Sequence, residues 1–339
     1  MILCPACSNE IADDNYIRVF RSSYGKTTHK LYHCRTCDLE FWHPRDIERE
    51  YYEGEHCEGY VELHSGDRKM PEWCKPFFER FHLRSGRLLD IGCGDGTFLK
   101  AAERNGYEVW GVDFDRKSIE TARNKNRLNN VYAMSLEEFI TFASEKNISF
   151  DVITFFEVLE HQDEPGKFIE TVKKLLAEGG FIAGSVPNRN RLFADSDRKL
   201  FMADYPPHHF LWFSGDSLKI FLRKNGFDSI EVFPIKMKLF KLSEWIESVM
   251  FGRASKRIKN KLNIFFLKRD ASGHDLTKDT ASTEKARRES MGISFLKFLR
   301  ILRNIVFLPS ALLIYPEFNR RGVQLYFQAV YRSGSTVSK

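Results

Sequence analysis

The chain has 339 residues, of which 42% are hydrophobic and 29% charged, with a formal net charge of +6 at pH 7. This balance is typical of a folded globular protein and excludes an intrinsically disordered chain. The sequence has no run of about 18 apolar residues, so we expect no membrane-spanning helix. The opening MILCPACSNE has neither the basic start nor the apolar core of a secretory signal, which predicts a cytoplasmic protein.

The N-terminal segment, residues 1–45, carries two Cys-x-x-Cys pairs separated by 26 residues. In a cytoplasmic chain such pairs favour a metal site over disulfide bonds. Four thiolates suit a tetrahedral structural zinc with no open position. The spacer YIRVFRSSYGKTTHKLYH alternates enough to predict a hairpin between the two pairs. We therefore predict a zinc ribbon whose ligands are Cys4, Cys7, Cys34 and Cys37.

Residues 46–84 are expected to form a linker and N-terminal helices, followed by the stretch RLLDIGCGDGTFL at residues 87–99. Apolar residues up to Ile91 predict a buried strand, and Thr97–Asn105 a helix. The glycines between them permit a tight turn and a close ligand approach beside the helix N-terminus. Their spacing, Asp-x-Gly-x-Gly-x-Gly, differs from the dinucleotide fingerprint G-x-G-x-x-G.

The segment after this loop alternates between strand and helix patterns. A second strand ends at Asp113, an acid that can accept hydrogen bonds from both hydroxyls of a ribose. Further strands are predicted in NNVYAMSLEEF, FDVITFFEVLEH and GGFIAGSVPN. Strands separated by helices predict a doubly wound α/β sheet, with the ligand at the carboxyl ends of the strands.

The stretch LLDIGCGDGTFL resembles the first motif of the class I S-adenosylmethionine-dependent methyltransferases, and the resemblance covers residues 70–235. It implies that the glycine loop surrounds the aminoacyl and ribose end of S-adenosylmethionine and that Asp113 holds the ribose hydroxyls. A nicotinamide enzyme or an ordinary loop is the alternative. The cofactor-binding residues that the resemblance implies are Asp90, Gly92, Cys93, Gly94, Gly96, Asp113, Phe114, Met134, Ser135, Leu136 and Phe156.

The ribbon has two interpretations once this fold is expected. Some ribosomal-RNA methyltransferases join a zinc finger to the same fold, so the ribbon could dock on RNA. However, it lacks a dense stripe of Lys and Arg for phosphates. The run LYHCRTCDLEFWHPRDIEREYY resembles bacterial methyltransferases that modify sugars and polysaccharides. We therefore favour a structural lid over the substrate cleft.

Two clusters could remove a proton from the methyl acceptor, and the first lies in FFEVLEHQDEP. The spacing of Glu157, Glu160 and His161 predicts a shared helical face. The pattern is similar to the Glu-x-x-Glu-His of ubiquinone-biosynthesis O-methyltransferases, where it is associated with a divalent metal. We favour the alternative that Glu157 borders the cofactor while the other two residues cap and pack the next helix.

The second cluster lies in DYPPHHFLWFSGDSLKIFLRKNGF, residues 204–227. Its two prolines predict an extended entry that places His208 and His209 on a loop before a helix N-capped by Ser214. A histidine with a pKa of about 6.5 suits acceptance of a hydroxyl proton. Similar sugar methyltransferases carry a Glu-His or His-His pair here, and His208 in place of the acid of the C-methylating enzymes favours oxygen as the acceptor. We predict His209 as general base, oriented by His208 or Glu157; the alternative is a pair that only pins the loop.

A long insertion, residues 236–321, precedes a predicted final strand and tail at 322–339. Residues 251–305 contain 14 Lys or Arg but only 5 Asp or Glu. Within this segment, Lys297, Arg300 and Arg303 form a basic stripe beside apolar residues. Such a helix can lie in a membrane interface, so residues 251–315 are predicted to contact the membrane peripherally. The alternatives are packing on the sheet or on a partner, or RNA binding.

The sequence thus predicts an α/β fold: a doubly wound, seven-stranded, Rossmann-like methyltransferase sheet (85–235) with a small N-terminal zinc ribbon and a helical C-terminal insertion. The predicted function is S-adenosylmethionine-dependent O-methylation of a sugar or glycan hydroxyl in cell-surface polysaccharide biosynthesis. A lipid-linked sugar at the inner membrane face is one form of that acceptor. The alternatives are a small-molecule O-methyltransferase of the quinone-biosynthesis type and a zinc-ribbon RNA methyltransferase.

Overall fold

A computed structural model of the chain describes residues 1–22, 27–46, 64, 66, 68–202, 204–239, 241–243, 245–246 and 306–332. The chain forms two compact units, one of residues 1–191, 202–235 and 321–339 and the other of residues 192–201 and 236–320. Among the described residues, no helix has the length and hydropathy needed to cross a bilayer. The segment predicted to contact the membrane, residues 251–315, lies outside the described residues except for 306–315.

A mixed seven-stranded sheet with flanking helices forms the centre of the first unit, which confirms the predicted fold class. Numbered in chain order after five N-terminal strands, its strands are β6 (Gly86–Ile91), β7 (Tyr107–Asp113), β8 (Val131–Ala133), β9 (Phe150–Phe156), β10 (Leu176–Pro187), β12 (Phe227–Pro234) and β13 (Gln324–Tyr331). Their order in the sheet is β12-β13-β10-β9-β6-β7-β8. Strand β13 pairs antiparallel with both β10 and β12, and the other neighbours pair in parallel.

Burial and helix capping explain why these segments form these elements. Leu88 and Leu89 of β6 and Val152 and Ile153 of β9 are completely buried, as expected for parallel strands covered on both faces. The helices whose bounds are described include α1 (Lys75–Arg80), α2 (Thr97–Arg104), α3 (Arg116–Asn124), α4 (Leu136–Glu145), α5 (Pro165–Leu175), α6 (Ala194–Phe201) and α7 (Gly215–Lys224). The predicted N-cap Ser214 is confirmed, because its side chain accepts a hydrogen bond from the Ser217 backbone in a capping box.

The N-terminal segment forms two small sheets, the larger of which includes a strand from much later in the chain. Strands β1 (Ile2–Leu3) and β2 (Glu10–Ile11) form a two-stranded sheet. Strands β3 (Tyr16–Arg21), β4 (Thr28–His33) and β5 (Glu40–His43) pair in that order in the second. The predicted hairpin is confirmed as β3 and β4. Strand β11 (Leu211–Trp212) adds to β5 antiparallel, so the ribbon and the segment after His209 share one sheet.

The described part of the second unit is helical and packs around one tryptophan. Trp245 contacts the ring of Phe193 at 5.6 Å and that of Phe318 at 5.3 Å. The backbone N–H of Met237 donates to Oδ1 of Asn319 at 2.8 Å. Residues 306–321 form a helix, so the part of the predicted insertion that can be described there is helical.

Candidate functional site

The glycine loop joins β6 to α2 in a left-handed backbone conformation. Gly92, Gly94 and Gly96 have φ angles of 75°, 52° and 73°, a region that strongly favours glycine. The N–H of Gly94 donates to Oδ2 of Asp113 at 2.9 Å, so this carboxylate helps to shape the loop. A Cβ on Gly96 would collide with Cδ1 of Leu128, which indicates that this glycine allows close packing beneath the loop.

A cleft of about 1220 Å³ opens at the carboxyl ends of β6, β7 and β9, the edge of the sheet at which a ligand was predicted. Ten of the eleven predicted cofactor-binding residues line it: Asp90, Gly92, Cys93, Gly94, Asp113, Phe114, Met134, Ser135, Leu136 and Phe156. Gly96 does not line it. The Phe114 side chain is 53% exposed, which leaves a ring surface on which a base can stack.

Two carboxyl groups, those of the buried Asp90 and the partly buried Asp113, line the cleft beside the glycine loop. Asp90 accepts a hydrogen bond from Oγ1 of Thr154 at 2.7 Å, and burial raises the pKa of Asp90 to about 8. Asp113 accepts a second backbone hydrogen bond, from the N–H of Asp115 at 2.8 Å. Burial raises the pKa of Asp113 to about 6. Both groups are therefore destabilised as anions until a cation or a set of donors binds beside them.

A third carboxylate of the loop, Asp95, was not among the predicted site residues. It is only 2% exposed, and the backbone N–H of Thr97 donates to its Oδ1 at 3.1 Å. Its Oδ2 is buried without a hydrogen-bond partner. The only signal in the sequence was its position between Gly94 and Gly96, where an acid can serve either the loop or a ligand.

This end of the cleft fits S-adenosylmethionine. The cofactor carries a sulfonium, an ammonium and two ribose hydroxyls, and the cleft offers the buried carboxyl groups of Asp90 and Asp95 and the partly buried one of Asp113. One oxygen of Asp95 has no hydrogen-bond partner. The exposed ring of Phe114 offers a stacking surface at the same edge. We call the part lined by Asp90, Asp95, Asp113 and Phe114 the donor end.

The prediction that Glu157, Glu160 and His161 share a helical face is wrong. Strand β9 ends at Phe156, and Glu157 has a φ of 55°, which turns the chain away from both strand and helix geometry. A short 3-10 turn, Leu159–His161, follows. Glu157 lines the cleft and accepts a hydrogen bond from Oγ of Ser185 at 2.7 Å, while burial raises its pKa to about 7.

The predicted extended entry to the second cluster is also wrong. The carbonyl oxygen of Tyr205 accepts hydrogen bonds from the backbone N–H groups of His208, at 3.0 Å, and His209, at 3.3 Å. The segment therefore turns sharply before β11 instead of running extended. This turn directs both histidines into the lining of the cleft, where the sequence placed them as candidate acceptor-side residues.

His161 joins His208 and His209, and we call these three residues the histidine cluster. The ring centroids of His208 and His209 are 4.5 Å apart, and those of His161 lie 4.6 and 4.7 Å from them. One ring nitrogen of each lies within 4.8 Å of the others. Nδ1 of His161 is 2.5 Å from the carbonyl oxygen of His208, and this contact holds the His161 ring against the turn that carries His208. Burial lowers the pKa of His161 to about 3 and that of His208 further still, so both rings are neutral.

Two carboxylates stand behind the cluster. Glu160 is completely buried, and its Oε1 lies 3.9 Å from Nε2 of both His161 and His209. Neither oxygen of Glu160 has a hydrogen-bond partner, and burial raises its pKa well above the ordinary value. On the other side, Oδ1 of Asp204 lies 3.6 Å from Nδ1 of His209.

Asp204 is held by an arginine that sequence reasoning missed. Nη2 of Arg191 donates to Oδ2 of Asp204 at 2.6 Å, and Nε1 of Trp212 donates to its backbone carbonyl at 2.6 Å. Burial opposes ionisation of Asp204, but His209 and Arg191 together hold its pKa well below the usual range. Asp204 could have been suspected as an acid five residues before His209. No local pattern points to Arg191, because its approach depends on the tertiary fold.

The four predicted metal ligands converge at the N-terminus. Sγ of Cys4 lies 3.5 Å from that of Cys37, and Sγ of Cys7 lies 3.4 Å from that of Cys34. All four sulfurs lie within 4.8 Å of one another. The two turns are alike: each first cysteine accepts a 2.8 Å backbone hydrogen bond from the residue four positions later. This donor set fits a tetrahedral thiophilic ion.

The ribbon supports the turn that carries the histidines. The N–H of Trp42 donates to the carbonyl of Phe210 at 2.9 Å, and the N–H of Phe210 donates to the carbonyl of Glu160 at 2.9 Å. Arg189 donates to both the carbonyl and the carboxylate of Asp38, each at 2.6 Å. The ribbon, the histidine turn and the 3-10 turn after β9 are thus joined through backbone hydrogen bonds.

Comparison with known proteins agrees with this geometry. A family model described as Methyltransferase domain matches residues 63–232, half of the chain. Ubiquinone biosynthesis O-methyltransferase from Paraburkholderia phymatum is 36% identical over 111 residues, which cover 32% of this chain and 47% of that protein. The protein of the same name from Coxiella burnetii is 33% identical over 115 residues, covering 33% and 48%. The chain therefore spans about half the length of these relatives.

A solved structure shows the same fold at low sequence identity. The complex between the Haloferax volcanii Trm112 methyltransferase activator and the putative methyltransferase contains a chain that superposes with a TM-score of 0.50 and 11% identity. The superposition covers 86% of this chain and 100% of that one. At this identity, the likeness concerns the fold alone.

Proposed function

The chain belongs to the methyltransferase domain family, and from this we propose that it transfers the methyl group of S-adenosylmethionine to a hydroxyl oxygen of a small-molecule acceptor. The observation that carries the proposal is a single cleft with two chemically different ends. Buried carboxyl groups suited to a cationic methyl donor line the donor end. Imidazole side chains, which can accept a hydroxyl proton, line the other.

Bound S-adenosylmethionine would supply a methyl group on a positively charged sulfur, and this sulfur would leave as a neutral thioether as the acceptor oxygen bonds to the methyl carbon. The residues of the donor end bind and orient it. Asp113 retains lone pairs for the ribose hydroxyls while its two backbone hydrogen bonds hold the carboxylate in place. Asp95 offers its unpartnered Oδ2 to a cationic group of the cofactor, and the ring of Phe114 stacks on the cofactor's adenine. Holding donor and acceptor in line supplies much of the rate enhancement in such a displacement.

At the acceptor end, His209 accepts the proton of the acceptor hydroxyl at Nε2. Asp204, fixed by Arg191, lies beside Nδ1 and stabilises the imidazolium that forms. His208 stacks on His209 and keeps water from the ring. Glu157 borders the junction of the two ends. General-base assistance of this kind contributes about 10²- to 10⁴-fold to the rate.

The acceptor class that we propose is a small, flat, lipid-soluble hydroxyl compound of the quinone-precursor type. It is favoured by the names of the relatives, and aromatic side chains in the cleft lining, Trp73, Phe98, Phe156 and Phe168, suit a planar apolar acceptor. A sugar or glycan hydroxyl in polysaccharide biosynthesis is the second candidate, because Asp46, Gln162, Asp163 and Glu164 also line the cleft and can bind several hydroxyls.

For the ribbon, we propose a structural zinc ion held by the four cysteines. Its role is to fold the two cysteine turns and so to position the histidine turn through β5 and β11. The ribbon then acts as a support at one side of the cleft, with Asp46 in the lining, instead of as a docking module for RNA.

The test uses the full chain, S-adenosylmethionine with a labelled methyl group, and a panel of catechols and phenols, nucleotide-linked and lipid-linked sugars, and RNA. Label in the phenolic compounds supports the first candidate, and label in sugars supports the second. Label in RNA alone would overturn the acceptor class.

The general base is tested with His209→Gln, which we expect to lower kcat by about 100-fold or more with unchanged cofactor affinity. The matched control is His82→Gln, an exposed histidine outside the cleft lining. Wild-type turnover in the His209 variant would refute its assignment.

A further inference from the structure

The turn that carries His208 and His209 is organised around the residue before its two prolines, Tyr205. The backbone N–H groups of both histidines donate to the carbonyl oxygen of Tyr205. Residues 204–210 form neither helix nor strand, so no regular ladder of hydrogen bonds fixes them. The position of the His209 ring therefore depends on what holds Tyr205.

The ring of Tyr205 packs among three other aromatic rings, and we call Phe20, Trp42, Tyr205 and Trp212 the aromatic cluster. The centroid of the Tyr205 ring lies 4.6 Å from that of Phe20 and 5.6 Å from that of Trp42. The Trp212 ring meets it edge-on at 5.8 Å. Tyr205 is only 7% exposed, and Trp42 is completely buried. Strands β3 and β5 of the ribbon, which carry Phe20 and Trp42, thus hold the residue around which the histidine turn folds.

Two hydrogen bonds fix the orientation of this packing. Nη1 of Arg18, on β3, donates to the Tyr205 hydroxyl at 3.0 Å. Nε1 of Trp212, on β11, donates to the backbone carbonyl of Asp204 at 2.6 Å. The same indole therefore contacts the Tyr205 ring and holds the backbone of the residue before it. Because Oδ1 of Asp204 lies 3.6 Å from Nδ1 of His209, a series of contacts connects the ribbon to the general base.

The aromatic cluster lies outside the cleft, although it is connected to the acceptor end. None of its four residues is among the described residues that line the cleft, whereas His209 is. The donor end is built on other elements, β6, β7 and the glycine loop. A change in the cluster should therefore affect the acceptor end and leave the cofactor site intact. A misplacement of about 1 Å at a reacting group can lower the rate by about 100-fold, even when the substitution is distant.

We propose that Tyr205 and Trp212 are positioning residues for methyl transfer, which hold Asp204 and His209 in the geometry that accepts the proton of the acceptor. Neither residue touches the cofactor or the acceptor, so both act through the pair of Asp204 and His209. The effect on the rate rests on the proposed function, whereas the effect on the histidine turn does not. The ribbon thereby contributes to kcat through the rings of β3 and β5.

The kinetic test uses the full chain, S-adenosylmethionine and an acceptor that the wild type methylates. Trp212→Phe keeps an aromatic ring but removes the N–H group that holds the Asp204 carbonyl. We expect kcat to fall by about tenfold or more, while the KM for S-adenosylmethionine stays within about twofold. Trp110→Phe is the matched control, because the Trp110 indole also donates to a neighbour, Oε1 of Glu108 at 3.4 Å, and lies outside the cleft lining. It should leave both constants unchanged.

A double-mutant cycle separates positioning from general destabilisation. If Trp212 acts through Asp204, Trp212→Phe should lower kcat much less when Asp204→Asn is already present. A purely structural role would lower kcat by the same factor in both backgrounds. Independent effects of the two substitutions would therefore overturn the proposal, even if each substitution alone is damaging.

Amide hydrogen exchange tests the turn without any substrate. Trp212→Phe and Tyr205→Leu should each speed the exchange of the His208 and His209 amides by about tenfold or more, while the amides of β6 keep their wild-type rates. Phe20→Leu changes a half-buried ring on the ribbon side, so it tests the same contact if Tyr205→Leu does not fold. Wild-type exchange of the two histidine amides in every folded variant would refute the anchoring role.

The two measurements distinguish failure of this inference from failure of the proposed function. Protein that methylates a small-molecule hydroxyl with unchanged kcat in Trp212→Phe refutes the positioning role and leaves the proposed function standing. Protein in which the turn loosens as expected, but which methylates no acceptor, refutes the proposed function and the effect on the rate. In that case the aromatic cluster remains the anchor of the histidine turn.

Discussion

Replacing Asp113 with Asn should weaken the binding of S-adenosylmethionine by about 30- to 1000-fold, since about 2–4 kcal/mol is lost. Each carboxylate oxygen accepts one backbone N–H, from Gly94 at 2.9 Å and from Asp115 at 2.8 Å. An amide must turn its NH₂ group toward one of these donors, which costs about 0.5–1.5 kcal/mol. Loss of a charged acceptor for the ribose hydroxyls accounts for the remaining 1.5–2.5 kcal/mol, roughly.

The assay is calorimetric titration of the full chain with S-adenosylmethionine. Glu108→Gln is the matched control, because Glu108 lies on the same strand, β7, but its side chain is exposed. Oε2 of Glu108 lies 3.4 Å from Nε of Arg87. This control should leave the Kd unchanged. An Asp113→Asn variant that binds the cofactor within threefold of the wild type would refute the assigned role.

The same carboxylate predicts how cofactor affinity depends on pH. Burial raises the pKa of Asp113 to about 6, so its anionic form predominates above that pH and the protonated form accumulates below it. Affinity for S-adenosylmethionine should therefore be level above about pH 7 and fall by up to about tenfold per pH unit below about pH 6. The Asp113→Asn variant should lack this dependence, and an equal slope in both proteins would contradict it.

Three further predictions concern the loop, the core and the ribbon. Gly92→Ala should weaken cofactor binding at least tenfold in calorimetric titration, because φ is 75° and the new Cβ would lie 2.7 Å from Cγ2 of Val158; wild-type affinity would contradict this. Burial raises the pKa of Asp90 to about 8, so its contribution to stability falls as pH rises from about 4 to about 8, by up to about 1.4 kcal/mol per unit. Asp90→Asn should remove that dependence from urea unfolding of the cofactor-free protein, and an unchanged slope would count against the assignment. Arg189→Met removes both 2.6 Å contacts with Asp38, so thermal unfolding should show a loss of about 1–3 kcal/mol; an unchanged melting temperature would show that these contacts do not hold the ribbon.

Local patterns in the sequence were sufficient for the elements of the fold. The apolar run before the glycine loop predicts β6, Ser214 predicts the start of α7, and the alternation between the cysteine pairs predicts the β3–β4 hairpin. Each of these elements depends on residues close together in the chain. The alternation of apolar residues sets the buried face of a strand, one side chain caps a helix, and a glycine permits a left-handed turn. The sheet follows because strands alternating with helices pair in few ways.

The composition of the acceptor end was decided only by the tertiary structure. His161 and His209 are 48 positions apart, and they meet because backbone hydrogen bonds join Glu160, Phe210 and Trp42 across three segments. A helical spacing pattern misplaced Glu157, because a single residue with φ of 55° redirected the chain. Arg191 reaches the site through its hydrogen bond to Asp204. The period of apolar residues indicates which face of a single helix or strand is buried. The convergence of separate segments depends on tertiary packing, which no local sequence pattern encodes.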